Sequence, residues 1–312
     1  MLNLNDLSVF VTAAESKSFS EAGRRLHLSQ PAISQTIEKL EKEFETRLFL
    51  RQGRRVHLSE TGQVLLPMAR ELLAEANRLE ESMASLRGEM IGEMVVGCST
   101  ASGKYLLPAQ IAAFRKAHPQ VRIHVLVSGR ESVISQLHTG ELSLGITSKR
   151  LDHRNLEFQD FFVDDVILIV AAEHPWASYR QIFPEDLLDE PMIMREEAAG
   201  TRQALLGALR ERAITPDMLK IGMVLGNSEA IVMAVEEGIG VAFISRLVAA
   251  RSLELGRVME VRVTGMELSR KIYMARNRRI PPTKAQACFW NFVTQAQSGN
   301  LISSVTAERQ LS

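Results

Sequence analysis

The chain has 312 residues, which is too many for one compact core and predicts two or three domains. Hydrophobic residues make up 46% and charged residues 24%, which are ordinary values for a globular protein and exclude a disordered or fibrous one. The formal net charge is zero, so any evidence for nucleic-acid binding must come from local clusters of charge.

Cysteine usage and the chain ends bear on the compartment. The two cysteines, Cys98 and Cys288, lie far apart, which argues against a disulfide framework and favours a reducing environment. No basic stretch followed by an apolar run opens the chain, and no segment approaches the ~20 continuous apolar residues of a membrane helix. We therefore expect a cytoplasmic protein with no membrane partner.

The first 60 residues predict three short helices. The first helix carries apolar residues at helical spacing, namely Leu7, Phe10, Val11 and Ala14. Ser20 is the predicted N-cap of the second helix, and Ser29 caps the third. The third helix has a predicted buried stripe of Ile33, Ile37, Leu40 and Phe44. Two short helices joined by a tight turn form a helix-turn-helix unit.

The outward face of the third helix is small, polar and uncharged near its start. It presents Gln30, Pro31, Ser34 and Gln35. Gln and Ser side chains can hydrogen-bond base edges in the major groove. The alternative is the solvated face of an ordinary three-helix bundle, and the pattern by itself leaves both interpretations open.

A basic hairpin is predicted directly after these helices. Residues 48–50 and 56–58 read as short strands around Gly53. The local arginines are Arg47, Arg51, Arg54 and Arg55. A charge cluster is commonly just solvated surface, but its position here predicts a wing that contacts phosphate or a narrow minor groove.

Residues 61–88 predict one long helix, capped by Ser59 or Thr61. Apolar residues alternate in steps of four and three along it. We expect Leu65, Leu72, Leu79, Met83 and Leu86 to form a dimer coiled coil. The alternative is an amphipathic helix packed on its own domain. A dimer with two helix-turn-helix units predicts a two-fold symmetric operator.

The run SFSEAGRRLHLSQPAISQTIEKLEKEFETRLFLRQGRRVHLSETG resembles the N-terminal domain of LysR-type transcriptional regulators. The resemblance implies an all-α winged helix-turn-helix over residues 1–60 and a dimerising linker helix over 61–90. It also implies a two-lobed α/β effector domain, similar to periplasmic binding proteins, over 91–297. The implied partners are double-stranded promoter DNA, a second copy in a homodimer or tetramer, and RNA polymerase as a further candidate. The tail 298–312 is expected to be disordered.

The resemblance also implies roles for particular residues. Those at the start of the third helix, already named, would read the operator. The wing arginines Arg54 and Arg55 would contact phosphate, as would Ser20 at a helix N-terminus. The local charge cluster adds Arg51 to the predicted DNA contacts. Many relatives carry Arg or Lys where this chain has Gln35, and glutamine favours adenine.

From residue 91 onward, strands and helices alternate, which predicts an α/β domain with largely parallel sheets. Two separate strands are predicted at 156–163 and 166–171. We expect one lobe to comprise 91–163 and 266–297, and the other to comprise 164–265.

Polar residues follow several predicted strands, where ligands of parallel sheets bind. They are Ser99, Thr100, Ser102, Ser128, Thr147, Ser148, Thr201, Arg202 and Asn227. Hydroxyls and free N–H groups at helix starts favour an anion or carboxylate, although each residue by itself could simply cap a helix. Convergence on one cleft predicts a small anionic effector. By resemblance, Ser99, Thr100, Ser102, Thr147 and Thr201 match effector-contacting positions.

Two other function classes are less consistent with these residues. An enzyme is disfavoured because no nucleophile elbow, P-loop, HExxH or paired-cysteine spacing is present, so no catalytic residue, metal or cofactor is predicted. A pure solute-binding protein is disfavoured by the wing arginines and the lack of a signal peptide. A redox role for Cys98 is a minor alternative to a core position. The sequence thus predicts a sequence-specific DNA-binding transcriptional regulator controlled by a metabolite through lobe closure.

Overall fold

The computed structural model describes residues 2–52, 55–98, 100–150 and 154–298. Gly53, Arg54, Ser99 and the predicted tail beyond residue 298 lie outside the described residues, as do the side chains of Arg51, Gln52, Arg55, Thr100, Ser102 and residues 296–298. The chain forms two compact units. The first comprises Met1–Gly92 with Ile280–Ala285, and the second comprises Glu93–Arg279 with Gln286–Ser312.

The N-terminal unit begins with three helices, α1 (Leu4–Ser16), α2 (Phe19–Leu26) and α3 (Gln30–Glu43). The apolar stripes predicted for α1 and α3 meet in one core, with Phe10, Ile33 and Leu40 fully buried. Phe44 is the exception at 40% exposed, because it follows the last turn of α3.

The predicted N-cap at Ser20 is wrong. The hydroxyl of Ser18 accepts the N–H of Glu21 at 3.3 Å and caps α2. Phe19 is then the first helical residue, and its ring packs edge-on against Phe49 at 5.3 Å between centroids. Because this contact holds Phe19 in the core, the helix begins two residues earlier than predicted, and Ser20 lies exposed in its first turn.

The predicted hairpin is confirmed as β1 (Phe49–Gln52) and β2 (Arg55–Leu58), paired antiparallel with Phe49 opposite Leu58. The long helix is confirmed as α4 (Glu60–Leu86), about 40 Å long at 1.5 Å per residue. Ser59 is its cap, accepting the N–H of Gly62 at 3.0 Å and donating to the carbonyl of Arg47 at 2.6 Å.

The second unit continues the alternation of strands and helices. Its first part comprises β3 (Gly92–Cys98), α5 (Thr100–Tyr105), α6 (Leu107–Ala117), β4 (Val121–Val127), α7 (Arg130–Thr139), β5 (Leu144–Thr147) and β6 (Leu156–Ala171). Its middle part comprises α8 (Pro175–Tyr179), β7 (Gln181–Ile182), β8 (Met192–Arg195), α9 (Gly200–Arg210), β9 (Ile221–Leu225) and α10 (Ser228–Glu236). Its last part comprises β10 (Ala242–Ser245), α11 (Arg246–Glu254), β11 (Val258–Val263), β12 (Leu268–Asn277) and α12 (Lys284–Ser298).

The sheets are mixed rather than largely parallel, which corrects the prediction. An eight-stranded sheet runs in the order β4-β3-β5-β12-β6-β11-β7, with β10 also paired to β6. Strands β3 and β5 are parallel, as are β8 and β9. Strand β6, in contrast, pairs antiparallel with β10, β11 and β12. One lobe is built around the first half of β6 and the other lobe around its second half.

The predicted break in β6 is also wrong, since one strand runs from Leu156 to Ala171. The acidic pair Asp164–Asp165 interrupts its apolar pattern and suggested a loop. Asp164 is in fact buried at 2% exposure and faces Arg270 of β12 across the ladder. Asp164 is therefore paired with an arginine inside the sheet and does not lie in a turn.

None of the described helices combines the length and apolar composition that crossing a bilayer requires.

Replacing Ser59 by alanine removes both hydrogen bonds at the start of α4 and should lower the free energy of unfolding by about 1–2 kcal/mol. Replacing Thr61, the other predicted cap, should cost under about 0.5 kcal/mol because it lies exposed. Urea unfolding of the two variants followed by circular dichroism measures the difference. Equal losses would contradict the assigned cap.

Candidate DNA-binding face and effector cleft

The start of α3 presents the predicted operator-reading residues to solvent. Gln30, Pro31 and Gln35 are exposed, and Ser34 is half-buried. The side-chain amide of Gln30 donates to the hydroxyl of Ser34 at 2.9 Å, which aligns both groups on one face. Ser29 caps the helix, accepting the N–H of Ala32 at 3.3 Å. The face thus offers amide donors and acceptors suited to base edges.

The predicted phosphate contacts are only partly described. Ser20 is exposed at the start of α2. Arg54 lies outside the described residues, and for Arg51 and Arg55 only the hairpin backbone is described, with Arg51 opposite Val56. These three arginines remain predictions.

Glu41 was missed by the sequence analysis and fixes the hairpin to α3. One oxygen of its carboxylate accepts the N–H groups of Leu48 and Phe49 at 2.8 and 3.2 Å. The other accepts from Arg47 at 3.0 Å. The carboxylate therefore holds the first strand of the hairpin against α3. In the sequence, Glu41 is simply an acidic residue near the end of an amphipathic helix, and this pattern does not predict its role.

Helix α4 carries an apolar stripe that its own unit leaves exposed. The exposed members are Val64, Met68, Leu72, Leu79, Met83 and Leu86, at 42–78% of their surface. Leu65, predicted for the dimer seam, instead packs beside Ala69 on the core of the N-terminal unit. Val64 and Met68, one residue earlier in each turn, continue the exposed stripe.

In the second unit, α6, α7, α9 and α11 begin without a side-chain cap hydrogen bond, and α7 and α9 are the two with an unpartnered hydroxyl at their starts among the described residues. Helix α7 follows Gly129 and helix α9 follows Ala199, and neither residue makes a side-chain cap hydrogen bond. Buried hydroxyls lie at both starts. Among the described side chains, the hydroxyls of Ser128 and Thr201 are buried without a hydrogen-bond partner.

A guanidinium group lies at the start of α9. A Cβ placed on Gly200 would come within 2.7 Å of the Ser148 hydroxyl and 2.9 Å of a terminal nitrogen of Arg270. Ser148, Gly200 and Arg270 therefore converge at one helix N-terminus. Thr147, next to Ser148, is fully buried, and its hydroxyl accepts the N–H of Lys149 at 3.3 Å.

Arg270 was missed by the sequence analysis, because one arginine in a strand pattern gives no positional signal. Its Nε and one terminal nitrogen contact Asp164 at 2.8 and 2.7 Å. The other oxygen of Asp164 accepts from Ser245 at 2.6 Å. Asp164 thus holds two nitrogens of the guanidinium, and the third nitrogen lies near Gly200 at the start of α9.

Two predicted effector residues have structural partners. Asn227 caps α10 by accepting the N–H of Ala230 at 3.0 Å. Helix capping was the alternative to ligand binding for this residue. Arg202 donates to the carbonyl of Arg195 at 2.8 Å. Burial would raise the pKa of neighbouring Glu196, but hydrogen bonds and charge from Arg195 outweigh it and lower that pKa.

Side chains bridge the two lobes beside these helix starts. Arg130, in the first turn of α7, donates to Gln203 of α9 at 3.2 Å, and its Nε is buried without a partner among the described residues. On α5, Tyr105 and Lys104 contact Glu229 of α10 at 3.3 and 3.1 Å. Polar contacts therefore connect α7 to α9 and α5 to α10 between the two lobes.

Cys98 lies at the end of β3 and is fully buried. Its thiol contacts the carbonyl of Leu126 at 3.7 Å, and burial raises the pKa of the thiol to about 11. The thiolate is the reactive form of cysteine, so this environment favours the core interpretation over a redox role. No group of three His, Cys, Asp or Glu residues within the described ranges is arranged to hold a metal ion.

Comparison with known families matches both parts of the chain. The family described as "Bacterial regulatory helix-turn-helix protein, lysR family" matches residues 4–63. The family described as "LysR substrate binding domain" matches residues 87–298.

Relatives match along most of the chain. An uncharacterized HTH-type transcriptional regulator of Methanocaldococcus jannaschii is 31% identical over 92% of this chain and 96% of the relative. A RuBisCO operon transcriptional regulator of Allochromatium vinosum is 31% identical over 94% of this chain and 95% of the relative.

Solved structures share the architecture. Full-length OxyR from Pseudomonas aeruginosa matches with a TM-score of 0.70 and 23% identity, over 94% of this chain and 98% of that one. Full-length CbnR complexed with its target DNA matches with a TM-score of 0.66 and 21% identity, over 95% and 100%. The effector binding domain of QuiR in complex with shikimate matches with a TM-score of 0.60 and 22% identity, over 67% and 98%. At these identities the likeness shows the fold, and it confirms the predicted two-part architecture.

Iodoacetamide at pH 8 should leave Cys98 unlabelled in the folded protein, because with a pKa of about 11 only about one thiol in a thousand is ionised. Cys288, which is only partly buried, should react faster. Peptide mass spectrometry before and after denaturation measures both sites. Faster labelling of Cys98 than of Cys288 in the native state would revive a redox role.

Proposed function

Because the chain belongs to the LysR family of transcriptional regulators, we propose that it recognises its operator as a homodimer and responds to a small anionic metabolite held between the lobes of its effector domain. The relatives are transcriptional regulators, which confirms the predicted regulator over the predicted alternative of an enzyme. We expect this function to be exercised in the cytoplasm on promoter DNA, with RNA polymerase as a further candidate partner.

One observation carries the anionic effector: at α7 and α9, a start without a side-chain cap coincides with a buried hydroxyl that has no partner among the described residues. Helices α6 and α11 also begin without a side-chain cap hydrogen bond, but no such hydroxyl lies at their starts in the described part of the chain. Side chains cap α1, α2, α3, α4 and α10 through Asn3, Ser18, Ser29, Ser59 and Asn227. At α7 and α9, the free first-turn N–H groups and the positive end of the helix dipole remain for a ligand. Both conditions favour a bound anion.

The hydroxyls at these starts support the same ligand chemistry. A buried hydroxyl without a hydrogen bond costs on the order of 1–3 kcal/mol, so the Ser128 and Thr201 hydroxyls favour a ligand that accepts from them. Arg130 and Arg270 add two positive charges, and Asp164 neutralises only the charge of Arg270. A single sulfate or carboxylate group would meet these donors. Shikimate, which the QuiR effector domain binds, is a small carboxylate.

Operator recognition is assigned to the start of α3, with Gln30 and Ser34 preset by their mutual hydrogen bond. Gln35 is exposed one turn further along the helix, where its amide fits adenine. The wing, held by Glu41, supplies the arginines that contact phosphate. Phosphate contacts give affinity and position, and the polar face of α3 gives sequence preference.

The homodimer is assigned to the exposed stripe of α4. Six large apolar side chains spaced along one helix face leave a contiguous patch open to water. A matching helix from a second copy would cover it, as in a coiled coil, and would give the two reading helices a two-fold relation.

Replacing Thr201 by valine removes one buried donor without changing side-chain shape. We expect the melting temperature of the free protein to stay equal or rise, because an unpaired polar group is lost. The stabilisation by the best of sulfate, phosphate, citrate and shikimate should fall, reflecting an affinity loss of about tenfold or more. Differential scanning fluorimetry measures both effects.

Asn227→Ala is the matched control for this test. Loss of the α10 cap should lower the melting temperature of the free protein while leaving the ligand-induced shift intact. A ligand-induced shift that survives Thr201→Val unchanged would place the anion elsewhere.

Leu79→Glu should convert the dimer to a monomer, because it sets like charges into the apolar seam. Asn77→Glu, two positions earlier on an exposed site, adds the same charge and should leave the dimer intact. Sedimentation velocity gives the mass, and gel retardation of the chain's own upstream DNA gives binding. A Leu79→Glu dimer with unchanged DNA affinity would exclude α4 as the dimer seam.

A further inference from the structure

The chain passes between the two compact units three times. It leaves the N-terminal unit after Gly92, returns to it at Ile280, and leaves again after Ala285. We call Ile280–Ala285 the return segment. Its last two residues are also the first two residues of α12. The C-terminal helix therefore begins within the N-terminal unit and continues in the other.

Three residues on one face of α4 hold the return segment. Arg78 donates to the carbonyl of Pro281 at 2.9 Å. The ammonium group of Lys284 donates to the hydroxyl of Ser85 at 2.6 Å. Between them, the carboxylate of Glu81 accepts the backbone N–H of Ala285 at 3.2 Å. The spacing of three and four residues places all three donors and acceptors along one edge of the linker helix.

Glu81 stands out because it is a carboxylate with only 5% of its surface exposed. Burying a carboxylate is costly unless hydrogen bonds or positive potential compensate. The first-turn N–H of α12 and the positive end of that helix supply both. Glu81 thus serves as the cap of a helix that lies more than two hundred residues further along the chain.

Gly92 meets the same carboxylate. A Cβ at Gly92 would lie 2.5 Å from one oxygen of Glu81 and 2.9 Å from the Cβ of Ala285, and its φ of +146° suits glycine. Two of the three chain crossings, at Gly92 and at Ala285, are therefore in contact with one side chain of the linker helix.

The chain that enters the return segment comes directly from the effector cleft. Strand β12 carries Arg270 near its start and ends at Asn277. The amide of Asn277 donates to the carbonyls of Leu137 and His138 at the end of α7, at 3.1 and 3.2 Å. A shift of β12 or α7 on ligand binding would thus displace the point from which the return segment starts.

We propose that Glu81 is the positioning residue through which the state of the effector domain reaches the linker helix. The proposal rests on the proposed function, in which ligand and DNA bind to different units. Glu81 touches neither ligand nor DNA. It fixes the start of α12 and the exit of β3 to α4, so that both crossings transmit displacement to the helix that spaces the DNA-reading heads.

Because thermodynamic linkage is reciprocal, operator binding must also change the conformational equilibrium of the effector domain through the same connection. Amide hydrogen exchange of the full-length protein, with and without a duplex of its own upstream DNA, measures this without an effector. In the wild type, DNA should change the exchange of peptides from β12 and from α12 beyond Gln286. In Glu81→Ala, that change should fall at least about threefold.

Two variants control the experiment. Glu80→Ala alters the neighbouring exposed carboxylate and should keep the full change. Glu81→Gln keeps an oxygen that can accept from Ala285 and should restore most of the change lost in Glu81→Ala. Should Glu81→Ala fail to fold, Arg78→Met tests the same segment through Pro281 and should show the same loss.

The proposal is overturned if DNA leaves β12 and α12 exchange unchanged in the wild type, or if Glu81→Ala and Arg78→Met both keep the wild-type change. Failure of the proposed function has a separate signature, the absence of any anion-dependent shift in melting temperature. Since the exchange experiment uses only DNA, the two failures are distinguishable.

Discussion

The effector domain depends on one buried ion pair, which joins β12 to the middle of β6, the strand that both lobes share. Strand β6 contributes its first half to one lobe and its second half to the other, and Asp164 lies where the halves meet. An unpaired carboxylate at 2% exposure would cost several kcal/mol, and removing one partner of a buried pair costs on the order of 3–5 kcal/mol. Arg270 and Ser245 satisfy Asp164 from two neighbouring strands. This cluster keeps β6, β10 and β12 in register.

The same guanidinium connects the fold to the cleft. Two of its nitrogens contact Asp164, and the third lies near Gly200 at the start of α9, where the Ser148 hydroxyl is also found. A ligand anion bound there would share its positive partner with the carboxylate at the lobe junction. Because Arg270 is already held in place, little side-chain entropy would be lost on binding, which favours affinity for a small ligand. The strand that carries Arg270 also leads to the return segment held by Glu81.

Local patterns predicted much of this protein, because the N-terminal unit is built from local rules. Helical spacing, caps and a glycine turn gave α1, α3, the wing and α4 close to their observed bounds. The start of α2 was misplaced because a tertiary contact, Phe19 on Phe49, decides between two neighbouring serines. The exposed stripe of α4 differs from the predicted seam for a similar reason, since Leu65 packs against the core of the N-terminal unit.

The cleft was predicted less completely, because its chemistry depends on residues distant in sequence. Hydroxyls after strands pointed to Ser128, Ser148 and Thr201, but a serine that caps its own helix looks the same in sequence as one that does not. Arg270 and Glu81 gave no signal, since each acquires its role from a partner more than a hundred residues away. At Asp164, the interrupted apolar pattern led to the wrong prediction of two separate strands in place of β6.

The proposed regulation requires above all that an anion bind between the starts of α7 and α9, which have no side-chain caps. Crystals of the protein soaked in selenate, a heavy analogue of sulfate, would show the anion directly by anomalous scattering. The predicted result is a peak within hydrogen-bond distance of the Thr201 hydroxyl and of the α9 N-terminal amides. A selenate peak confined to other parts of the effector domain, with the cleft vacant, would contradict the claim.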